Sequence, residues 1–438
     1  MPAIVKKDRR IKLQLVANKD HSVSGGLIAV EAMAQQFGLW EKLRRNRCLD
    51  PRRDRSRGYS AEVIAGQVVY ALCSGGVGVV DAERLNDNPL AKELFGVGKF
   101  ADESQVGEWL RGQSEKSLEV LHQINRELVQ WICAKADGRR WLQAGQREIF
   151  FDDTQLEVSG KKFEGAKINY EGKLALSWQT LWLGSFLLDA HLGSPGDCSD
   201  QLAPMLENNR AQWKNHPAHF YADSGSSAGK YLEKIAGEGW HYTVSYNKWT
   251  GPLEKKAQEL PQSEWQTSGE EQHAFFRHQP DGCEHPKLFA CARRKDGLFY
   301  RYGFVVCDEG QKDAARVFER HHLKGDKEKL FSEVLSGLDL HHPPCASLMA
   351  NRIFYALAML AYNLLMAIKV LELPDDCQGW RLKTMLKQMV YLPTRLMNRS
   401  RQVWARLLVP ADWLEWWRKL LERMWPRPGP GRPLLRAI

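Results

Sequence analysis

Hydrophobic positions over residues 1–145 recur mostly three or four apart, the spacing of one face of an α-helix. The longest of these patterns cover three segments, residues 26–43, 63–72 and 118–132. Ser60 and Ser114 stand before the second and third segments, and serine is a favoured N-cap because its hydroxyl accepts a backbone hydrogen bond. The pattern therefore predicts a nearly all-helical N-terminal region.

The pattern changes at Ile149-Phe150-Phe151-Asp152-Asp153-Thr154, where three apolar, strand-favouring residues run directly into two acids. Such a run is typical of a buried strand whose end leaves the core. A second run, His219-Phe220-Tyr221-Ala222-Asp223, repeats this arrangement. Strands are also predicted at 174–181, 185–192 and 241–245, and helices near 202–206 and 227–236. The predicted order is β-β-β-α-β-α-β, with acids on the first and fourth strands.

Residues 248–310 differ from the preceding segment because several strand-like runs follow one another there. Strand-like runs occupy 275–278, 287–293 and 299–306, and Asp296-Gly297 between the last two is a hairpin signal. We interpret this segment as an insertion. Helical patterns resume at about residue 311 and are predicted to continue to an irregular, proline-rich end after Trp425.

The most apolar run, residues 353–368, is shorter than the roughly 20 residues that a membrane span needs. It is therefore predicted to be a buried core helix. Over the whole chain of 438 residues, 43% are hydrophobic and 26% are charged, which is typical of a globular rather than a disordered protein.

Basic charge is concentrated in two tracts. The formal net charge is +9, and residues 377–438 alone contain 13 Lys or Arg against 3 Asp or Glu. Residues 42–57 hold 8 basic and 2 acidic residues. Such tracts favour a polyanionic partner, either nucleic acid or an anionic membrane. Nine cysteines without a CxxC pair, and a polar first ten residues, indicate reduced thiols and a cytoplasmic protein.

Asp152 and Asp223 are the first candidate functional residues. A carboxylate at the end of a buried strand is partly desolvated and rigidly held, which suits a metal ligand. The alternative is that each aspartate caps the following turn or helix. Asp153 is interpreted as a turn residue rather than a hydrogen-bonding member of the site.

The strand and helix order resembles the ribonuclease-H-like catalytic core, an α/β fold. That resemblance implies that the first and fourth strands are neighbours, so that Asp152 and Asp223 meet. It also implies a third acid on a helix after the sheet, for which Glu328 is the first candidate and Glu333 the second. Basic side chains around Glu328 are expected to hold backbone phosphates. These are Arg320, His321, Lys324, Lys327 and Lys329.

Several motifs resemble DDE transposases of bacterial insertion sequences, in the IS-four-like class and most closely its IS-thirteen-eighty family. Asp152-Asp153-Thr154 is similar to that group's Asp-x-Thr motif, and Tyr221-Ala222-Asp223-Ser224-Gly225 to its second-Asp motif. The stretches 338–345 and 350–357 resemble those that follow its glutamate. One signature of the wider class, Tyr-x2-Arg-x3-Glu-x6-Lys, is not matched. Counted from Glu328, it meets His321, Lys324 and Leu335 at the Tyr, Arg and Lys places.

The resemblance implies five parts: a helical, DNA-binding N-terminal region (1–145), the first part of the core (146–247), a β-rich insertion (248–310), the core completion with the catalytic glutamate (311–373) and a basic helical tail (374–438). It implies cut-and-paste transposition, in which the terminal inverted repeats are bound and DNA is cleaved and joined. Asp152, Asp223 and Glu328 would be the catalytic residues and would bind Mg²⁺, or Mn²⁺ in its place. The partners would be double-stranded DNA and a second subunit, and no membrane would be involved. The protein would be cytoplasmic and associated with the bacterial nucleoid.

Other interpretations remain open from the sequence. The chain could be a catalytically inactive DNA-binding relative or a nuclease of the same fold. A glycosidase with paired carboxylates is disfavoured because a sugar substrate does not require the excess of basic side chains that this chain has. Zinc binding by the His pairs at 321–322 and 341–342 with Cys345 is disfavoured because zinc ligands usually show tighter paired spacing. The tryptophans and arginines of the tail are expected to contact DNA, or else to pack against the core.

Overall fold

A computed structural model describes residues 20–136, 147–160, 162–196, 201–213, 217–247, 250–399 and 402–424, without the side chains of 211 and 326–329. The predicted leader before residue 20 and the predicted irregular end after Trp425 lie outside these residues.

Helices make up most of the N-terminal region, as predicted. After a two-residue strand they follow in the order β1 (His21–Ser22), α1 (Leu27–Phe37), α2 (Leu39–Arg45), α3 (Ala61–Cys73), α4 (Val79–Arg84), α5 (Pro89–Phe95), α6 (Glu103–Arg111) and α7 (Glu115–Lys135). The single helix predicted over 26–43 is divided at Gly38, whose φ of 75° lies in the left-handed region that glycine adopts without strain. Ser114 caps α7 as predicted, since its hydroxyl accepts a hydrogen bond from the Ser117 amide.

The next segment contains the predicted β-β-β-α-β-α-β order, with one additional two-residue strand. Its elements are β2 (Arg147–Glu157), β3 (Lys167–Ile168), β4 (Leu174–Leu183), β5 (Phe186–Gly193), α8 (Leu202–Asn208), β6 (Ala218–Ala222), α9 (Gly229–Gly237) and β7 (His241–Ser245). In space the strands are ordered β5-β4-β2-β6-β7. The pairs β5–β4 and β4–β2 are antiparallel, whereas β2–β6 and β6–β7 are parallel.

The β-rich segment extends this same sheet. It comprises α10 (Gly251–Glu259), β8 (Gln266–Ser268), β9 (Glu271–His278), β10 (Lys287–Asp296) and β11 (Phe299–Cys307). The predicted hairpin is confirmed, because β10 and β11 pair around Gly297, whose φ is 64°. Strand β11 pairs antiparallel with β7, so Val306 lies opposite Val244. This pairing covers an edge of β7 that would otherwise expose its backbone groups.

Long helices and a second small sheet complete the chain. The elements are α11 (Ala314–Gly337), α12 (Leu348–Glu372), α13 (Leu382–Met385), β12 (Thr394–Arg399), β13 (Gln402–Leu407) and α14 (Leu414–Met424). The expectation of helix throughout the tail is wrong, because β12 and β13 form an antiparallel pair with β1 on the outer edge of β12. The reason is a two-residue alternation: buried Thr394 and Leu396 alternate with exposed Arg395.

Helix α12 is the predicted core helix. Residues 353–368 are all buried. By length and composition alone the helix could cross a membrane, but 94% of its most apolar window is buried inside the fold. Asn363 on α12 donates to Asn125 of α7 and to the Leu187 carbonyl of β5, at 2.7 and 2.8 Å. These buried hydrogen bonds fix the position of the β5 edge of the large sheet against the helical layer.

Candidate metal centre

The two aspartates singled out in the sequence lie side by side. Strands β2 and β6 are adjacent and parallel, with Phe151 opposite Ala222, and the next residue on each chain is Asp152 and Asp223. Parallel neighbours bring equivalent ends of their strands to one edge of a sheet. One carboxylate oxygen each from Asp152, Asp153 and Asp223 lies within 4.8 Å of the others. Among the described residues this is the one group of acids, histidines and cysteines close enough to hold a metal ion.

Asp153 belongs to this cluster, contrary to its interpretation as a turn residue. It lies within β2, and its carboxylate accepts hydrogen bonds from Gln155 Nε2 at 2.8 Å and Ser177 Oγ at 3.1 Å. Ser177 is a buried polar residue on the neighbouring strand β4. The sequence contains a weak signal for this contact, a serine within the otherwise apolar start of β4, but no pattern that connects it to residue 153.

Asp152 and Asp153 lie where their negative charge is poorly solvated. Burial raises the pKa of Asp152 to about 6, against the opposing effect of the Lys324 ammonium and with a further contribution from Asp223. Burial likewise raises the pKa of Asp153. Lys324 Nζ, on α11, lies 3.2 Å from Asp152 Oδ2. The site therefore favours additional positive charge, which a divalent cation would supply.

The carboxylates open into a cleft of about 490 Å³. Two residues of α11, Lys324 and Phe331, line its wall. The remaining lining residues come from the carboxyl-terminal parts of β2, β6 and β7 and the residues after them: Asp152, Asp153, Thr154, Asp223, Ser224, Ser245 and Asn247. Oxygen-rich walls and a single lysine suit an anionic substrate that is held through a metal ion.

The two candidates for the third acid differ in what the structure describes. Glu328 lies on α11, but its side chain, with those of Lys327 and Lys329, is outside the described residues. The side chain of Glu333 is among the described residues, and it makes a contact away from the aspartates. Its carboxylate accepts a 2.6 Å hydrogen bond from the backbone amide of Leu382, at the first residue of α13. Glu333 does not line the cleft.

Two of the predicted phosphate contacts have partners within the protein. Arg320 donates from Nε to the Tyr221 hydroxyl at 3.3 Å. His321 is buried, and its Nε2 lies 2.6 Å from Ser245 Oγ. Burial lowers the pKa of His321 to about 4, so the imidazole is neutral at physiological pH. A direct cationic contact from His321 to phosphate, expected from the sequence, is therefore corrected to a buried packing position behind the site.

A comparison with models of known families finds a match that covers nearly the whole chain. Residues 4–427 match the family described as "Transposase DDE domain group 1". A search of curated proteins finds no match. The matched range includes all three clustered aspartates and the whole of α11.

Proposed function

The chain belongs to the transposase family with a DDE domain of group 1, and on that premise we propose that it catalyses cut-and-paste transposition of a bacterial insertion sequence. In this proposal the element is of the IS-four-like class and IS-thirteen-eighty family. The observation that carries it is the convergence of Asp152, Asp153 and Asp223 at one edge of the sheet, beside Lys324. Double-stranded DNA is the substrate and the terminal inverted repeats are the specific sites.

We propose that the sheet and its flanking helices are a ribonuclease-H-like core. The strand order β5-β4-β2-β6-β7 supports this, because its three antiparallel strands are followed by two parallel ones. The acids lie on β2 and directly after β6, the third and fourth strands of that order. The β-rich segment between β7 and α11 is proposed as the insertion of this class, paired to the core through β11.

The residues of the site fit Mg²⁺, with Mn²⁺ as a substitute. Mg²⁺ prefers hard oxygen ligands and binds through a few carboxylates together with water and substrate phosphate. Bound divalent ions supply activation of an attacking oxygen and stabilisation of a leaving oxygen during in-line displacement at phosphorus. Asp152 and Asp223 would hold the ions. Asp153, whose carboxylate is oriented by Ser177 and Gln155, would either be a further metal ligand or keep Asp152 in place.

Lys324 would then change partner. In the metal-free protein its ammonium neutralises Asp152 across 3.2 Å. With Asp152 holding a metal ion, the Lys324 ammonium would no longer be needed to offset that carboxylate's charge and could contact DNA phosphate at the wall of the cleft. We infer that Lys324 positions the scissile strand after it has left Asp152.

Glu328 is the third acid in this proposal. Successive turns of an α-helix bring residues three and four apart to the same face. Lys324 and Phe331 both line the cleft, and position 328 is four residues after the first and three before the second. That spacing supports Glu328 over Glu333, whose carboxylate is already bonded to the start of α13.

The proposal includes two copies of the chain in the synaptic complex, since joining two element ends requires two active sites. It places the protein on the nucleoid in the bacterial cytoplasm. A catalytically inactive, end-binding relative is the competing function. The acids distinguish the two, because DNA binding alone does not require three clustered carboxylates, two of which are disfavoured as charged groups by burial.

A cleavage assay tests the proposal. Purified protein is incubated with a supercoiled plasmid carrying the element's own ends, in Mg²⁺ or EDTA. The test variant is Asp223→Asn and the matched control is Asp296→Asn, an exposed aspartate in the β10–β11 hairpin. Metal-dependent cuts at the ends, lost in the first variant and kept in the second, are expected. End-specific binding without cutting in any divalent metal would establish the inactive relative.

A further inference from the structure

The small sheet β1-β12-β13 places two arginines directly opposite each other. Arg395 on β12 pairs with Arg406 on β13, and on its other side Arg395 pairs with His21 on β1. Directly opposed residues in an antiparallel pair project from the same face of the sheet. All three are exposed. A row of three basic side chains therefore crosses this face.

The same face continues as an amphipathic ribbon. Two residues further along, half-buried Met397 lies opposite half-buried Trp404, and two further still exposed Arg399 lies opposite Gln402. The opposite face of β12 is the one that packs on the protein, since Thr394 and Leu396 are 1% and 9% exposed. The outer face thus has a basic row at one end, the single arginine Arg399 at the other, and a Met–Trp pair between them.

These arginines differ in their partners from several other arginines of the chain. In the described part of the chain, Arg395, Arg399 and Arg406 have no carboxylate within 4.0 Å. In the N-terminal basic tract, by contrast, Arg44 and Arg45 pair with Glu41, and Arg52 and Arg55 pair with Asp50. In α14 the same holds. There Arg418 pairs with Glu415 and Glu422, and Arg423 pairs with Glu372.

Opposed like charges destabilise an antiparallel pair, and this face has no internal acid that would offset their repulsion. A polyanion on the outer face would supply that compensation. We propose that the outer face of β12–β13 is a DNA-binding ribbon whose arginines contact phosphates of duplex DNA. The choice of duplex DNA as the polyanion rests on the proposed transposase function.

The dimensions of the ribbon fit a groove of B-form DNA. Arg395 and Arg399 are four residues apart, which is about 13 Å along a strand. The major groove is about 12 Å wide and admits a two-stranded β-ribbon. The Arg395–Arg406 row and Arg399 would then reach phosphates on the two walls of the groove. Met397 and Trp404, between them, would face its floor, where thymine methyl groups accept apolar contacts.

Charge removal at matched positions tests the ribbon. The full-length double variant Arg395→Gln/Arg406→Gln is compared with Arg277→Gln/Arg294→Gln, which removes the same charge from arginines already paired with Glu309 and Glu270. Fluorescence anisotropy measures affinity for a labelled duplex across a salt series. Each lost phosphate contact lowers the slope of log K against log salt by about 0.9. For the ribbon variant we expect the slope of log K against log salt to become shallower by about 1.8, and the affinity near 0.1 M salt to fall about 10-fold or more. The control variant should keep the wild-type slope and affinity.

Thermal stability separates a binding role from a structural one. Removing the two opposed like charges relieves their repulsion, so the melting temperature of the ribbon variant in the absence of DNA should stay the same or rise. Arg395→Lys/Arg406→Lys, which keeps the charges, should restore the salt slope. If the double Gln variant fails to fold, the single variant Arg399→Gln should still lose about 0.9 of slope.

An unchanged slope and affinity in the ribbon variants would overturn the proposal. The same holds if these variants change only the oligomeric state in sedimentation velocity, because the face would then bind a second copy of the chain. Failure of the transposase function would look different. In that case the wild type would show no metal-dependent cutting, but the ribbon variants would still bind DNA more weakly than the control variant.

Discussion

Lys324 Nζ on α11 lies 3.2 Å from Asp152 Oδ2 on β2. This ion pair joins α11 to the first acid of the site. Both side chains are largely buried, at 12% and 16% exposure. In the metal-free protein this pair partly offsets the cost of burying the Asp152 charge, and it joins α11 to the site edge of the sheet.

Asp152→Asn should abolish cleavage and leave DNA affinity largely unchanged, because the carboxylate holds metal rather than DNA. The same change should stabilise the metal-free protein, since it removes a buried charge beside Asp153 and Asp223. From the pKa of about 6, the gain is on the order of 1–3 kcal/mol near pH 7.5. Chemical denaturation in EDTA measures it. Residual nicking of donor DNA by this variant would remove Asp152 from the catalytic set.

The raised pKa of Asp152 gives the stability of the metal-free protein a defined pH dependence. The folded pKa of about 6 exceeds the unfolded value near 3.8, so the folded state binds more protons between these values. The free energy of unfolding therefore falls as pH rises from about 4 to about 6.5 and levels off above. The difference between wild type and Asp152→Asn isolates this contribution. A difference that does not change with pH would contradict the assignment.

Asp153→Asn tests whether Asp153 supports metal binding or has a purely structural role. An amide can still accept the hydrogen bonds from Ser177 and Gln155, so the local structure should persist. If Asp153 orients the site, affinity for Mn²⁺ should fall about 10- to 100-fold, the usual effect of changing such a supporting group. Calorimetric titration with Mn²⁺ measures this. Wild-type affinity would return Asp153 to a purely structural role.

Glu328→Gln and Glu333→Gln should have opposite effects. Glu333 accepts the Leu382 amide at the start of α13, so its substitution should lower the free energy of unfolding by about 1 kcal/mol and preserve cleavage. Glu328→Gln should abolish cleavage without lowering stability. Plasmid cleavage and chemical denaturation of both variants provide the two measurements. Loss of cleavage in the Glu333 variant alone would reverse the assignment.

Much of the site was visible in the sequence because it follows from short-range patterns. An apolar run that ends in an acid marks a buried strand and its exit from the core, which is how Asp152 and Asp223 were found. Asp153 was misassigned because its role depends on Ser177, a residue 24 positions away on another strand. His321 was misassigned because a histidine among lysines reads as a surface cation, whereas packing against Ser245 buries it.

The sequence by itself determined the element order from β2 to β7, the two strand-end aspartates, the buried core helix and the excess of basic charge. These properties depend on periodicity and residue type over a few turns or one strand. Only the tertiary structure decided which basic residues lack acidic partners, that β11 pairs with β7, and that Arg395 faces Arg406. Such relationships depend on strand register and on contacts between distant segments, and a one-residue change of register would turn every side chain to the opposite face.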